Sequence, residues 1–403
     1  MDKKLKICHF FGGVRSMKLA KWQSQHGCEV HAISIEDPEI FKDYWKDNFQ
    51  VHQNERATRL YNKLKPIQFL AVFKSYWFLY FFYMRTLAKV VKKYDIKIIH
   101  AHRHTGTFFA FLTKKLFSLK GVKIVFDYQD PWSAEELKER NIVQDIGLKL
   151  YFLLEGYITR NADLVVTQGQ EQTDLLIKRY NVNPKRFIFT WNTSDITVFR
   201  PFKERDALRK KYGLTGKVAI LYLGSIIDYF GIHLIPEAAK EVVKKYKNVK
   251  FVINGVVRDQ KYWDDIKAKI KEYKLNDYFL EVQPKTKSEI PSQISMCDVG
   301  LVTHMKGSTI CEVAIPTKLF EYMSSGLAVV CADMKHITQF VVPYKAGIAF
   351  EPSNASDLAR ALMDLLKNSK QIPLMGKNAR KATEKKFNWD IEMKRVLDSY
   401  KSL

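Results

Sequence analysis

Short apolar runs recur along the whole chain, and most are followed by a longer stretch whose apolar residues fall three and four apart. The runs near Leu5–His9, Glu29–Ser34, Lys97–Ala101, Lys123–Asp127 and Leu164–Thr167 predict strands in the first half. Those near Val218–Gly224, Lys250–Asn254, Phe279–Val282, Val299–Thr303 and Leu327–Ala332 predict strands in the second. A continuous apolar run suits a strand covered on both faces, and the helical stretches between runs supply the crossovers that parallel strands need. The expectation is an α/β chain with two doubly wound parallel sheets and right-handed connections. In such folds ligands bind at the carboxyl ends of the strands, and with two domains the natural place is a cleft between them.

The most informative segment runs from Pro316 through Gly326 to Asp333. Pro316 suits the first turn of a helix, Leu319, Phe320 and Met323 fall on one face, and Gly326 is placed to end it. Leu327–Ala332 then reads as a buried strand. Glu321 is thereby set near the amino end of a short helix. A carboxylate there can accept two ribose hydroxyls, and the N–H groups at the helix start can hold phosphate. A core helix with a surface glutamate fits the same pattern.

This segment resembles the donor-binding signature of retaining GT-B glycosyltransferases, specifically glycosyltransferase family 4, in its Pro-x-Lys-Leu-x-Glu-Tyr-Met-x-x-Gly pattern. Asn161-Ala-Asp-Leu-Val-Val-Thr167 is similar to that family's Asn-Ala-Asp strand, and Asn192-Thr-Ser-Asp195 with Phe199 and Pro201 to its linker. Phe387-Asn-Trp389 and the stretch to Tyr400 are similar to its closing helix. The resemblance implies two Rossmann-like domains facing across a cleft. Residues 1–195 would bind the acceptor, with a helix at 388–403 packing back on them, and residues 196–387 would bind a nucleotide sugar. Donor contacts would come from Gly12, Gly13, Gly224, Asn254, Thr317, Lys318, Leu319 and Glu321.

The other candidates follow chain order. Gly12-Gly13 comes after the first strand and before an expected helix at Met17–His26, where glycines let backbone approach phosphate; a plain tight turn fits equally. His100-Ala-His102 ends a strand, as in the family's His-x-His, with Arg103 and His104 just beyond, over the expected cleft. Such histidines orient a sugar or pyrophosphate, or are structural. In Asp127-Tyr-Gln-Asp130-Pro-Trp132 the resemblance makes Asp130 the acceptor of a sugar hydroxyl, with Asp127 capping the strand end. Asp130, His102 and Glu312 are the catalytic candidates. No carboxylate is spaced along the chain to complete a metal ligand set with the histidines, so neither metal nor other cofactor is expected.

Two departures from the family pattern stand out. The family presents an arginine after the first strand of the second domain and a lysine before a glycine shortly beyond, and together these neutralise the leaving diphosphate. Here Ser225 and Phe230-Gly231 occupy those places. The family's first glutamate falls on Val313, with Glu312 one residue away. Lys318, Lys306, Arg258 or Arg103 are the available replacement cations.

Length and charge refine this picture. The 403 residues leave room for two cores, and a hydrophobic share of 46% excludes a disordered chain. The five cysteines form no Cys-x-x-Cys pair, which reads as reduced thiols in a cytosolic protein. The amino terminus lacks the apolar core of a signal peptide. The net charge is +23, and residues 61–120 carry twelve Lys or Arg against one acid, Asp95. The same region holds the aromatic run Tyr76–Met84, including Trp77 and Phe78, beside Arg85, Lys89, Lys92 and Lys93. It is too short and polar for a membrane span. A helix beginning at Pro66 and lying on an anionic membrane surface fits, as does a buried helix with basic neighbours. A nucleic-acid partner is not expected, because no nucleic-acid-binding motif is present and the basic residues sit among bulky apolar ones.

The resemblance therefore implies a retaining, metal-independent, hexosyltransferase-type enzyme. It would move sugar from a nucleotide diphosphate to a lipid-linked saccharide or glycan, at the cytoplasmic face of the cell membrane, in cell-surface polysaccharide synthesis. The alternatives are a nucleotide-binding partner subunit without turnover and a nucleotide-sugar epimerase. Oligomeric state, base, sugar and linkage are not legible.

Overall fold

A computed structural model describes residues 4–11, 13–34, 48–54, 56–59, 77–129, 142–283 and 287–403. Gly12, Tyr76 and Asp130 lie outside the described residues, as do the side chains of Trp77 and Phe78. The chain forms two compact units, Met1–Thr190 with Met393–Leu403, and Trp191–Glu392.

The first unit is built on a seven-stranded sheet among the described residues. Its strands are β1 (Lys6–Phe10), β2 (Glu29–Ile33), β3 (Gln50–His52), β4 (Ile98–His102), β5 (Lys123–Asp127), β6 (Leu164–Thr167) and β7 (Phe187–Phe189). They lie in the order β3-β2-β1-β4-β5-β6-β7, every pair parallel. The order reverses at β1, so the strand ends of β1 and β4 form the switch point where such sheets bind ligands. Helices Val14–Gln25, Trp77–Tyr94, Arg103–Leu116, Ile142–Asn161 and Gln170–Tyr180 make the connections.

The second unit holds a six-stranded parallel sheet: β8 (Val218–Ile226), β9 (Val249–Val257), β10 (Phe279–Glu281), β11 (Val299–Val302), β12 (Ala328–Ala332) and β13 (Gly347–Phe350), in the order β10-β9-β8-β11-β12-β13. The fold class read from the sequence is the one observed. Strands β3, β7 and β13 were not expected. Each is three or four residues long, partly exposed and at a sheet edge, so it has no continuous apolar run to betray it.

Two glycines depart from expectation. Gly224 and Asn254-Gly255 were placed at strand ends, but β8 and β9 continue in register through Ile226 and Val257. Gly224 pairs with Gly255, and a Cβ on Gly255 would lie 2.9 Å from the Gly224 carbonyl oxygen. Gly224 itself has φ +131°, a backbone region open to glycine. The expected helix after them spans Thr317–Ser324, capped by Pro316 and closed by Gly326 at φ +78°. Leu319, Phe320 and Met323 are fully buried. The last helix, Trp389–Tyr400, crosses the boundary between the units: its residues from Met393 onward belong to the first.

Candidate functional site

In the first unit the strand ends bring together four buried polar side chains: His9 from β1, His100 and His102 from β4, and Asp127 from β5. The three imidazoles stack with centroids 4.7 to 5.3 Å apart. His102 Nδ1 donates to Asp127 Oδ2 at 2.7 Å, and His102 Nε2 lies 3.0 Å from His9 Nδ1. His9 Nε2 is 2.8 Å from Gln23 Oε1, the Gln23 amide donates to the Tyr400 hydroxyl at 3.4 Å, and that hydroxyl pairs with His100 Nδ1. His100 Nε2 faces Asp127 Oδ2 at 3.7 Å. The six side chains close a ring.

Burial alone would raise the Asp127 pKa; the Arg15 guanidinium, 3.8 Å away, and the histidine hydrogen bonds outweigh it and hold the carboxyl well below its usual range. Burial pushes His102 down to about 4 against the pull of Asp127, and His9 also falls well below its ordinary value through burial and its histidine neighbours. Asp127 was read as a strand-end cap; it is the buried anion of this ring. Chain spacing also concealed that His100, His102 and Asp127 offer ligand atoms within 4.8 Å of one another. A cation there would have to break one of the two His102 hydrogen bonds, to Asp127 or to His9, and sit beside Arg15.

Arg103 begins the helix after β4 in the left-handed region, at φ +59°, and donates to Gln129 Oε1 at 3.2 Å. Its side chain is exposed. His104 was expected to project from the strand end alongside it. It is instead tied down by Glu155, 2.8 Å from Nε2, a buried carboxylate that also accepts from Tyr151, Arg179 and Tyr180. Gly13 caps the helix Val14–Gln25.

In the second unit the helix Thr317–Ser324 carries four of the eight expected donor residues. Thr317 is exposed and Glu321 half-buried, while the Leu319 side chain fills the core. Lys318 is only 7% exposed, and its amine has no hydrogen-bond partner among the described residues. It lies over the rings of Tyr222 at 4.3 Å and Phe230 at 5.1 Å. Burial pushes its pKa down to about 8. Asn254 is buried and donates to Gln293 Oε1 at 2.7 Å. Glu312 is exposed, and its Oε1 accepts from the Gly307 N–H at 3.0 Å, closing the loop before its own helix.

The aromatic and basic stretch forms the helix Trp77–Tyr94 in the first unit. Tyr83, Met84, Leu87, Ala88, Val90 and Val91 are buried, so this face is core. Arg85, Lys89, Lys92 and Lys93 are exposed beside Phe81 at 57% and Phe82 at 40%. A groove of about 1060 Å³ runs along this side, lined by Arg56, Phe81, Arg85, Lys89, Lys93 and Leu116 among others, with no acid among its described lining residues. No described helix is long and apolar enough to cross a membrane.

With this geometry in hand, the chain was compared with known proteins. Residues 12–198 match the family described as Glycosyltransferase Family 4, and residues 204–382 match Glycosyl transferases group 1. The chain belongs to this glycosyltransferase family. Spore coat protein SA of Bacillus subtilis is 22% identical over 206 residues, spanning 49% of this chain and 52% of that protein. Alignments with curated relatives cover 43% to 64% of those proteins' length. A glycosyltransferase from Rickettsia africae superposes with a TM-score of 0.76 at 16% identity, covering 99% of this chain and 98% of that one. Anabaena Alr3699/HepE, solved with UDP and glucose, gives 0.76 at 15% identity over 99% and 100%. These likenesses show the fold, that of GT-B glycosyltransferases.

Sequence reasoning missed His9, Arg15, Gln23, Glu155 and Tyr400. A signal existed for His9, a lone imidazole in the apolar run Ile7-Cys-His-Phe10 of a predicted strand. Tyr400 had none, because it meets His100 across 300 residues of chain.

Proposed function

We propose that this chain is a retaining glycosyltransferase that takes sugar from a nucleotide diphosphate and passes it to an acceptor hydroxyl. The observation that carries the reading is the helix Thr317–Ser324: a half-buried carboxylate, Glu321, rises one turn above a helix start whose first N–H groups have no partner within the helix. This pairing suits a ribose diol beside a diphosphate. The side chains offered are positioning and electrostatic groups rather than an activated nucleophile, in keeping with a reaction whose base is the donor phosphate. No metal is required in this reading. Arg15 beside Asp127 argues against a cation among the buried histidines.

The acceptor in this reading is lipid-linked and met at an anionic membrane face. The groove bordered by Phe81, Phe82, Arg85 and Lys89, with no acid among its described lining residues, supports that choice, since it offers cations for a phosphate headgroup beside apolar surface. Thermal melting with ADP, CDP, GDP, UDP and dTDP tests the donor half, UDP first because HepE was solved with it. A ligand that binds the folded chain raises the melting temperature by mass action. One nucleotide should shift it, and Glu321→Ala should abolish the shift. No shift with any of the five overturns the reading.

The loss of the arginine and lysine at Ser225 and Phe230 favours one rival, a subunit that binds nucleotide without turning it over. Release of the nucleoside diphosphate from its nucleotide sugar, with or without acceptor, separates the two.

A further inference from the structure

We propose that the Lys318 amine is the counter-cation for the diphosphate of the bound donor, standing in for the absent arginine and lysine. The inference rests on the transferase reading above and names the residue that would neutralise its leaving group. Three observations place it there.

First, the amine is buried and unpartnered. A buried ammonium normally pairs with a carboxylate or donates hydrogen bonds, because leaving it bare costs free energy. Among the described residues Lys318 Nζ has neither, at 7% exposure. It rests on the faces of Tyr222 and Phe230, a cation–π contact that holds the charge without using its N–H donors. Three donors are therefore available for an anion.

Second, the amine reaches the place the family reserves for its diphosphate cations. Lys318 is the second residue of its helix, yet its Nζ lies against Gly224 in β8: a Cβ built on Gly224 would be 3.0 Å from it. Ser225 follows Gly224 directly, and the Phe230 ring is one of the two beneath the amine. The positive charge near these positions therefore comes from the helix Thr317–Ser324.

Third, the amine lies close to the surface. Gly224, against which it rests, and Phe230, beneath it, are half-buried rather than buried. The start of its own helix is beside it, so backbone N–H groups and lysine can share one diphosphate. The titratable groups that act on the amine are Cys311 and Glu321, and His304 is perturbed by it in turn. Its lowered pKa, about 8 through burial, gives a signature: a diphosphate restores the charge, so binding above that pH takes up a proton.

The test is titration calorimetry on the full chain at pH 8.5, in two buffers of different ionisation enthalpy. The probes are the five nucleoside diphosphates and inorganic pyrophosphate, with the parent nucleosides as controls. Lys318→Met should weaken the diphosphates by about tenfold or more and erase proton uptake, while leaving nucleoside binding unchanged. Lys318→Arg, or Ser225→Arg with Phe230→Lys in the Lys318→Met background, should restore part of the affinity. Unchanged diphosphate affinity in a folded Lys318→Met overturns the assignment and leaves the transferase reading standing. Should Lys318→Met not fold, absence of proton uptake by the unaltered chain overturns it. Pyrophosphate binding through Lys318 without any nucleoside diphosphate would sink the transferase reading and with it the assignment to a donor. No binding of any probe sinks both.

Discussion

The hydroxyl of Tyr400 pairs with Nδ1 of His100, although 300 residues separate them in the chain. Both side chains are buried, at 3% and 0% exposure, and Gln23 donates to the same hydroxyl. Removing the oxygen strands two buried polar groups. Tyr400→Phe should therefore cost about 1–3 kcal/mol in the first unit, read as a lower urea midpoint. An unchanged midpoint would show that the hydroxyl contributes no net stability.

Acid should weaken the same unit earlier than carboxylate titration alone would do. His102 is held near pKa 4 when folded and titrates near 6.5 when unfolded, so the unfolded chain binds more protons between those values. Stability from this group is then lost as pH falls from about 6.5 toward 4. Asp127 adds to the loss at lower pH, since a depressed carboxyl stabilises above its unfolded value and stops doing so as it protonates. Chemical denaturation at pH 7, 6, 5 and 4.5 should show the decline. His102→Gln should flatten it, and an equal slope in that variant would remove His102 as the cause.

Lys318 carries the same sign in a higher window, since its folded pKa is also lowered. A lysine whose folded pKa is lowered to about 8 destabilises the folded state while it stays charged, fully below pH 8 and progressively less toward 10.5. Lys318→Met should raise the stability of the ligand-free chain at pH 7 by up to about 3 kcal/mol, and the gain should shrink by pH 9.5. A variant that is less stable at pH 7 would mean that the ammonium is well satisfied.

Membrane contact is tested on residues shown to be exposed. Phe81→Ser with Phe82→Ser, and Arg85→Glu with Lys89→Glu, change the outer side of the helix Trp77–Tyr94 while Tyr83 and Leu87 keep its core face. Each pair should reduce co-sedimentation with phosphatidylglycerol vesicles at least severalfold, with melting temperature near that of the parent. Retention of both pairs on vesicles would discard the membrane-face reading.

How much of this was legible follows the range of the contacts. Strands such as Lys123–Asp127 and Leu164–Thr167 were readable to the residue, because burial on both faces writes an unbroken apolar run. The helix after Pro316 was readable from its own spacing and its closing glycine. Gly224 was misplaced because a strand that continues through a glycine at φ +131° looks, in sequence, like one that ends there. The Asp127 ring was hidden for a different reason. Its members come from β1, the helix Val14–Gln25, β4, β5 and the last helix, and no local pattern records such a meeting. Lys318 was nameable as a replacement cation, but its bare amine depends on which rings the fold places beneath it.

The helix that ends at Tyr400 also bears on how the chain is made. The strands of the first unit leave the ribosome long before residue 400 does, yet the Gln23 amide N–H and His100 Nδ1 lack the hydroxyl they share until that tyrosine arrives. The unit that begins first is finished last. While Trp191–Glu392 is being synthesised, the early half waits with its buried hydrogen-bond ring unclosed, within reach of chaperones.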